Sequence, residues 1–327
     1  MIKLRLLPAL LALSLTSFAA TDPNLLRLVM PDAKVVAGLQ VTQTKKSAFG
    51  QFVLSHMQVE DDAFKKFMAQ TGFDPRRDLS EIVMASNWEQ ATPQSRWLVV
   101  ARGTFNRSAI TTAALANGGA TTNFQGVDVL TYAPPVPQEN RNGIAFFDAS
   151  NAVMGDIASV KAAIQRRQSN AATPANILAK VRTLSAKNDF WFVTLVPISE
   201  FAGAVPNANL SSAMKGNLLA AVHEASGGIR FGETVNISGE AVTRSDKDAQ
   251  ALVDVFKFVA GMVQTNRAND PAVNQVATLL DALDLQTKDN VMTLSLAIPE
   301  KQLEQILDLM RQETRPARKK PAAPQIN

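Results

Sequence analysis

The feature that most constrains this chain is an order of apolar segments that occurs twice. In the first half, Ala33–Thr42 has β-branched residues on both faces and reads as a strand. Phe49, Phe52, Val53 and His56 then recur at helical spacing, and so do Phe64, Phe67 and Met68, up to Gly72. Phe73-Asp74-Pro75 marks a turn, because proline biases the preceding residue away from helix. Strands follow at Ile82–Ala85 and Trp97–Arg102, then a helix from Arg107 to Asn117 that stops at Gly118-Gly119. Two more strands, Phe124–Tyr132 and Ile144–Met154, precede a helix capped by Asp156. The second half runs in the same order. It starts with the almost wholly apolar Phe190–Val196, a central-strand pattern, and a helical region from Leu210 to Val222. Gly227-Gly228 reads as a turn before paired strands at Ile229–Phe231 and Val235–Val242. Ser245-x-x-Asp248 opens a long helix with Ala249, Leu252, Val253, Phe256, Ala260 and Val263 on one stripe. A helix at Val273–Leu283, strands around Leu285 and at Val291–Ile298, and a helix from Pro299 complete it.

Both halves therefore read β-α-ββ-α-ββ-α. The predicted class is α+β with mainly antiparallel sheets, as two tandem domains related to the ferredoxin-like split βαβ motif. The repeat lies in element order and not in a fixed period, which suggests an old duplication with loop insertions. The length of 327 residues agrees, since single cores stop growing at roughly 250–300 residues. The polar stretch Gln165–Ala175 is the expected linker, giving domains at 20–168 and 176–313.

The two ends read differently. Met1-Ile-Lys-Leu-Arg, the apolar stretch Leu6–Leu15 and small residues at Ser17 and Ala19 have the layout of a secretory signal peptide over residues 1–19. An uncleaved anchor is the alternative. From about Thr314 to Asn327, prolines and basic residues replace the apolar period, and a disordered tail is expected. The net charge of +4 comes from the ends: Lys3 and Arg5 in the leader, and Arg311, Arg315, Arg318, Lys319 and Lys320 in the tail against Glu313. The body between them is slightly acidic, so no nucleic-acid-binding face is implied. Arg315, Arg318, Lys319 and Lys320 are candidates for weak contact with an anionic envelope surface, a solvated extension being the alternative. Export without a single cysteine suits a bacterial envelope, periplasmic or extracellular, and rules out disulfides, thiolate nucleophiles and a lipid-bearing cysteine.

The Gly72-Phe-Asp-Pro-x-x-Asp78-Leu turn and the Ala152-Val-Met-Gly-Asp156 strand-to-helix step, together with the exported N-terminus, resemble exported bacterial proteins built of α+β repeats. The resemblance covers residues 30–310. It implies an envelope protein and carries over no site residues.

Candidate chemistry is sparse. Ser212-Ala-Met-Lys215 has the S-x-x-K spacing of a Ser–Lys hydrolase, but the Lys-Thr-Gly strand of that class is missing. A hydrolase using the Ser212/Lys215 dyad is therefore the alternative to a non-enzymatic binding module. No P-loop, G-x-S-x-G elbow or G-x-G-x-x-G is present, and no cofactor is expected. His56 with Glu60 and Asp61 has metal-ligand spacing but continues an apolar stripe, so no metal is expected. His223 reads as a helix-end cation, and Asp281 with Asp284 as a solvated edge of one helix. Trp97 and Trp191 read as core, and Trp88 as the one exposed aromatic. The chain is thus expected to bind an envelope ligand or protein. Intact-mass analysis of exported protein should give a chain starting at Ala20; a mass that includes Met1 contradicts the leader.

Overall fold

Alternation with a period of two dominates the computed structural model, which describes residues 20–56, 62–89, 95–131, 142–169, 175–204, 219–265 and 271–306. The expected leader (1–19) and tail (314–327) lie outside these residues. A short helix α1 (Pro23–Leu26) leads to β1 (Val35–Leu39). Helices α2 (Val41–Thr44), α3 (Ala48–His56), α4 (Asp62–Thr71) and α5 (Pro75–Asp78) come before β2 (Leu79–Ser86) and β3 (Trp97–Gly103). Next come α6 (Arg107–Ala116), the hairpin β4 (Ala120–Phe124) and β5 (Val127–Thr131), the hairpin β6 (Asn142–Phe146) and β7 (Asn151–Asp156), and α7 (Ile157–Ser169). The second half comprises α8 (Ala175–Ser185), β8 (Phe190–Thr194), β9 (Val222–Arg230), β10 (Thr234–Thr243), α9 (Asp246–Thr265), α10 (Pro271–Leu280), β11 (Leu283–Lys288) and β12 (Val291–Pro299). Helix also covers 300–306.

The fold is α+β, and the twelve strands of the described residues form one antiparallel sheet in the order β11-β12-β10-β9-β8-β1-β2-β3-β7-β6-β5-β4. The order differs from the split motif expected from sequence, which places β3 between β1 and β2; here β2 lies directly beside β1. Outward from the centre, one side runs β1-β2-β3-β7-β6 and the other β8-β9-β10-β12-β11, with β5 and β4 added at the first edge. The two sides meet in the β1–β8 pair, which places Gly38 opposite Trp191 and Ala37 opposite Phe192. The sheet is thus continuous across the expected linker Gln165–Ala175, of which 165–169 are the end of α7 and Ala175 starts α8, while 170–174 lie outside the described residues. Backbone bonds extend the seam at both ends, Leu195 N donating to Lys34 O (2.7 Å) and Gln40 N to Asp189 O (2.7 Å).

One face of the sheet carries the larger core. Val36, Val83, Leu98, Val100 and Val153 point to it and pack with Val160 and Ile164 of α7, Val181 of α8, and Trp191 and Val193 of β8. Trp191 is fully buried, and its ring occupies the space where a Cβ on Gly38 would sit. Lys180 of α8 pairs with Glu224 and with Glu240 (2.8 Å), tying that helix to β9 and β10. Helices on the opposite face stand apart: α4 and α6 near one edge, α9 near the other.

Asp74 caps α5, its side chain accepting from Arg76 N at 2.9 Å, so Pro75 starts a helical turn and does not only end one. Gln125 (φ 51°) and Gly126 (φ 81°) form the turn of the β4–β5 hairpin, so the expected strand Phe124–Tyr132 starts at Val127 and a further strand, Ala120–Phe124, precedes it. The expected strand Ile144–Met154 is the β6–β7 hairpin, in which Ile144 and Met154 are cross-strand partners. Gly227 and Gly228 are mid-strand residues and not a turn. A Cβ on Gly227 would lie 3.2 Å from the Phe192 ring, and the Asn188 side chain covers Gly228. Ser245 does cap α9, its Oγ accepting from Asp248 N at 3.2 Å.

Gly38→Ala forces a methyl into the Trp191 ring, so it should destabilise by about 1–3 kcal/mol, the usual cost of overpacking. Thermal unfolding monitored by Trp191 burial checks this; an unchanged melting temperature contradicts the seam packing.

Candidate apolar ligand site

The face opposite the larger core carries one apolar row. Following the register strand by strand, Phe192, Ala37, Met84, Val99, Met154, Ile144 and Leu130 are successive cross-strand partners. Toward the other edge the row continues through Gly227, Gly239, Leu294 and Leu285. At about 4.8 Å per strand, the stretch from Phe192 to Leu130 is about 29 Å long. Helices cover its ends. Its middle is open: Met84 is 54% and Met154 42% exposed.

Under α4 and α6 the row deepens into a cleft of about 430 Å³, lined on the sheet side by Ile82, Val99, Ala101, Ile144 and Met154. Its other wall is a chain of phenylalanines. Phe67 of α4 meets Phe73 edge-on at 6.5 Å, Phe73 stacks on Phe105 at 5.7 Å, and Phe105 meets Phe146 of β6 at 5.6 Å. Local signals place these rings. Gly72 (φ 69°) ends α4 and turns the chain toward Phe73, and Asn106 caps α6, its side chain accepting from Ala109 N at 3.0 Å. Every described residue lining the cleft is apolar. Such a surface offers nothing to hydrogen-bond water, and it suits an apolar ligand.

A second exposed apolar strip lies on α9. Leu252 and Val253 face the sheet, while Gln250 contacts Thr287 of β11 and Gln264 donates to Asp281 at 2.9 Å. At about 100° per residue, Val255, Phe258, Val259 and Met262 fall on the flank turned away from β11. Phe258 is 65% exposed.

Polar clusters elsewhere are engaged in holding the fold. Arg102 bonds Asp22 and lies 3.8 Å from Glu81, which is buried and accepts from Gln40 Nε2 at 2.7 Å. Burial pushes the Glu81 carboxyl above its ordinary value, with Arg102 and the hydrogen bonds opposing the shift.

The residues singled out from sequence do not converge. Ser212 and Lys215 lie outside the described residues, as do Arg315, Arg318, Lys319, Lys320, Glu60, Asp61 and the His56 side chain. His223 is an exposed residue of β9 and not a helix-end cation, because the strand begins seven residues earlier than expected. Asp281 follows α10 while Asp284 is in β11, so they do not share a helix. Trp88 is half-buried and not exposed: its ring packs on Phe201 at a centroid distance of 4.2 Å. In the sequence, Phe105 lies between predicted elements, and the cleft's Phe67, Val99, Ile144 and Met154 are only element-forming residues. Their one signal is that β2, β3 and β7 are apolar on both faces, where one-sided burial gives alternation with polar residues. No family model, no curated protein and no solved structure matches this chain.

Proposed function

We propose that this protein is a non-enzymatic binding module of the bacterial envelope, exported by its N-terminal leader, and that its ligand is apolar and held in the cleft between the sheet and α4/α6. The observation that carries this reading is the unbroken apolar row that opens to solvent at Met84 and Met154. Side chains so placed are poorly matched to water and well matched to a hydrocarbon, and methionine adapts its shape to varied partners. An extended acyl chain fits the long, narrow strip. At about 0.8 kcal/mol per buried CH₂, roughly ten methylenes give about 8 kcal/mol before the costs of association. The shared order of strands on the two sides of the seam supports the duplication read from sequence, and the resemblance to exported α+β repeat proteins agrees with it.

The test is displacement of a fluorescent fatty-acid analogue from the mature protein. Saturable binding is expected, with Met154→Asp weakening it at least about tenfold through the cost of an unpaired charge against hydrocarbon. Because Met154 is partly exposed, the variant should melt within a few degrees of the wild type. Absence of saturable binding, or binding indifferent to Met154→Asp, overturns the proposal.

A further inference from the structure

The apolar cleft is closed at one end and open at the other. Its inner end is Ile110 of α6, which is buried and packs with Leu130 and Ala114. Its mouth is Met154, from which the row runs on to the exposed Met84. From Met84 to Leu130 the row crosses four strand-to-strand steps, about 19 Å at about 4.8 Å each. A wholly apolar ligand is best shielded by a cavity closed all round, whereas an opening at one end suits a molecule with a polar end.

The mouth offers that polar end no partner. By alternation, Asp156 is the one charged side chain that β8, β1, β2, β3 and β7 direct to this face among the described residues. Its two oxygens already accept from Trp97 N (2.9 Å) and Ser159 N (2.8 Å). The hydroxyls at the strand ends are used as well: Thr194 accepts from Val196 N at 3.0 Å, and Ser86 donates to Arg96 O at 3.0 Å. A head group drawn into the cleft would lose its water and gain no hydrogen bond, and for a charged head that cost outweighs the return from several buried methylenes. The chain can enter only methyl end first.

We infer that the ligand is a single-chain amphiphile held tail-first, its methyl end toward Ile110 and its head group in solvent over Met84, so that the protein selects the chain and accepts neutral, charged or bulky heads alike. This rests on the apolar-ligand reading and adds the orientation and the ligand class to it.

Displacement of the fluorescent fatty-acid analogue, below micelle-forming concentrations and at low salt, compares five probes. Four carry one head: dodecanol, dodecanoate, dodecylphosphocholine and dodecyl maltoside. The fifth, dodecanedioate, has a carboxylate at each end. The four should bind within about threefold of one another, since the apolar contacts they share carry the affinity. Dodecanedioate should bind at least about tenfold more weakly than dodecanoate, because one of its carboxylates has to leave water. Met84→Lys should favour dodecanoate over dodecanol by about twofold to fivefold, the worth of an exposed ion pair, and leave the melting temperature unchanged. A wider spread among the four heads, dodecanedioate within tenfold of dodecanoate, or a dodecanoate-to-dodecanol ratio unmoved by Met84→Lys each overturns the tail-first orientation while leaving the apolar cleft in place. Failure of all five probes and of the analogue to bind overturns both readings together.

Discussion

The β1–β8 pairing holds the molecule together. Without it the chain is two smaller sheets, each ending in an open edge. With it, one sheet of twelve strands carries a core whose residues come from both sides of the seam. The contact that makes this close approach possible is Gly38 against Trp191: only a residue without a side chain leaves room for an indole directly opposite. The ring then packs into the larger core, on the face that α7 and α8 cover.

The apolar row on the other face follows from the same pairing. Because side chains alternate, burying Trp191 and Val193 on one face obliges Phe192 to project from the other. Register across the seam then aligns Phe192 with Ala37 and Met84, so a row built from both halves becomes continuous. Gly227 leaves space for the Phe192 ring where a larger residue would push it out of line. Helices α4, α6 and α9 shield the two ends of the row, and the gap between them is the accessible surface. The site is therefore a property of the joined sheet as well as of the local rings of Phe67, Phe73, Phe105 and Phe146.

Much of the fold was legible in the sequence, and the legible part is local. The long α9 with its Ser245 cap, the strand β12 and the strands β2, β3 and β8 all follow from short-range pattern. Strand order did not follow, because element order is compatible with several sheets, and the choice between β2 and β3 as the neighbour of β1 rests on long-range pairing. Gly227-Gly228 was misleading for a definite reason: paired glycines usually mark a turn, and here they accommodate Phe192 and Asn188 within a strand. The site was the least visible part. Its residues are ordinary core-forming types spread from Phe67 to Met154, and only the register shows that Met84 and Met154 share one exposed row with Val99 between them.

The central proposal is that an apolar ligand occupies the cleft between the sheet and α4/α6, and photolabelling tests it most directly. An acyl chain bearing a diazirine near its middle, bound to the mature protein and activated, should label peptides containing Phe67, Val99 and Met154, with the label competed away by unlabelled fatty acid. Label confined to the exposed flank of α9 around Phe258, or spread over the surface without competition, would contradict the account.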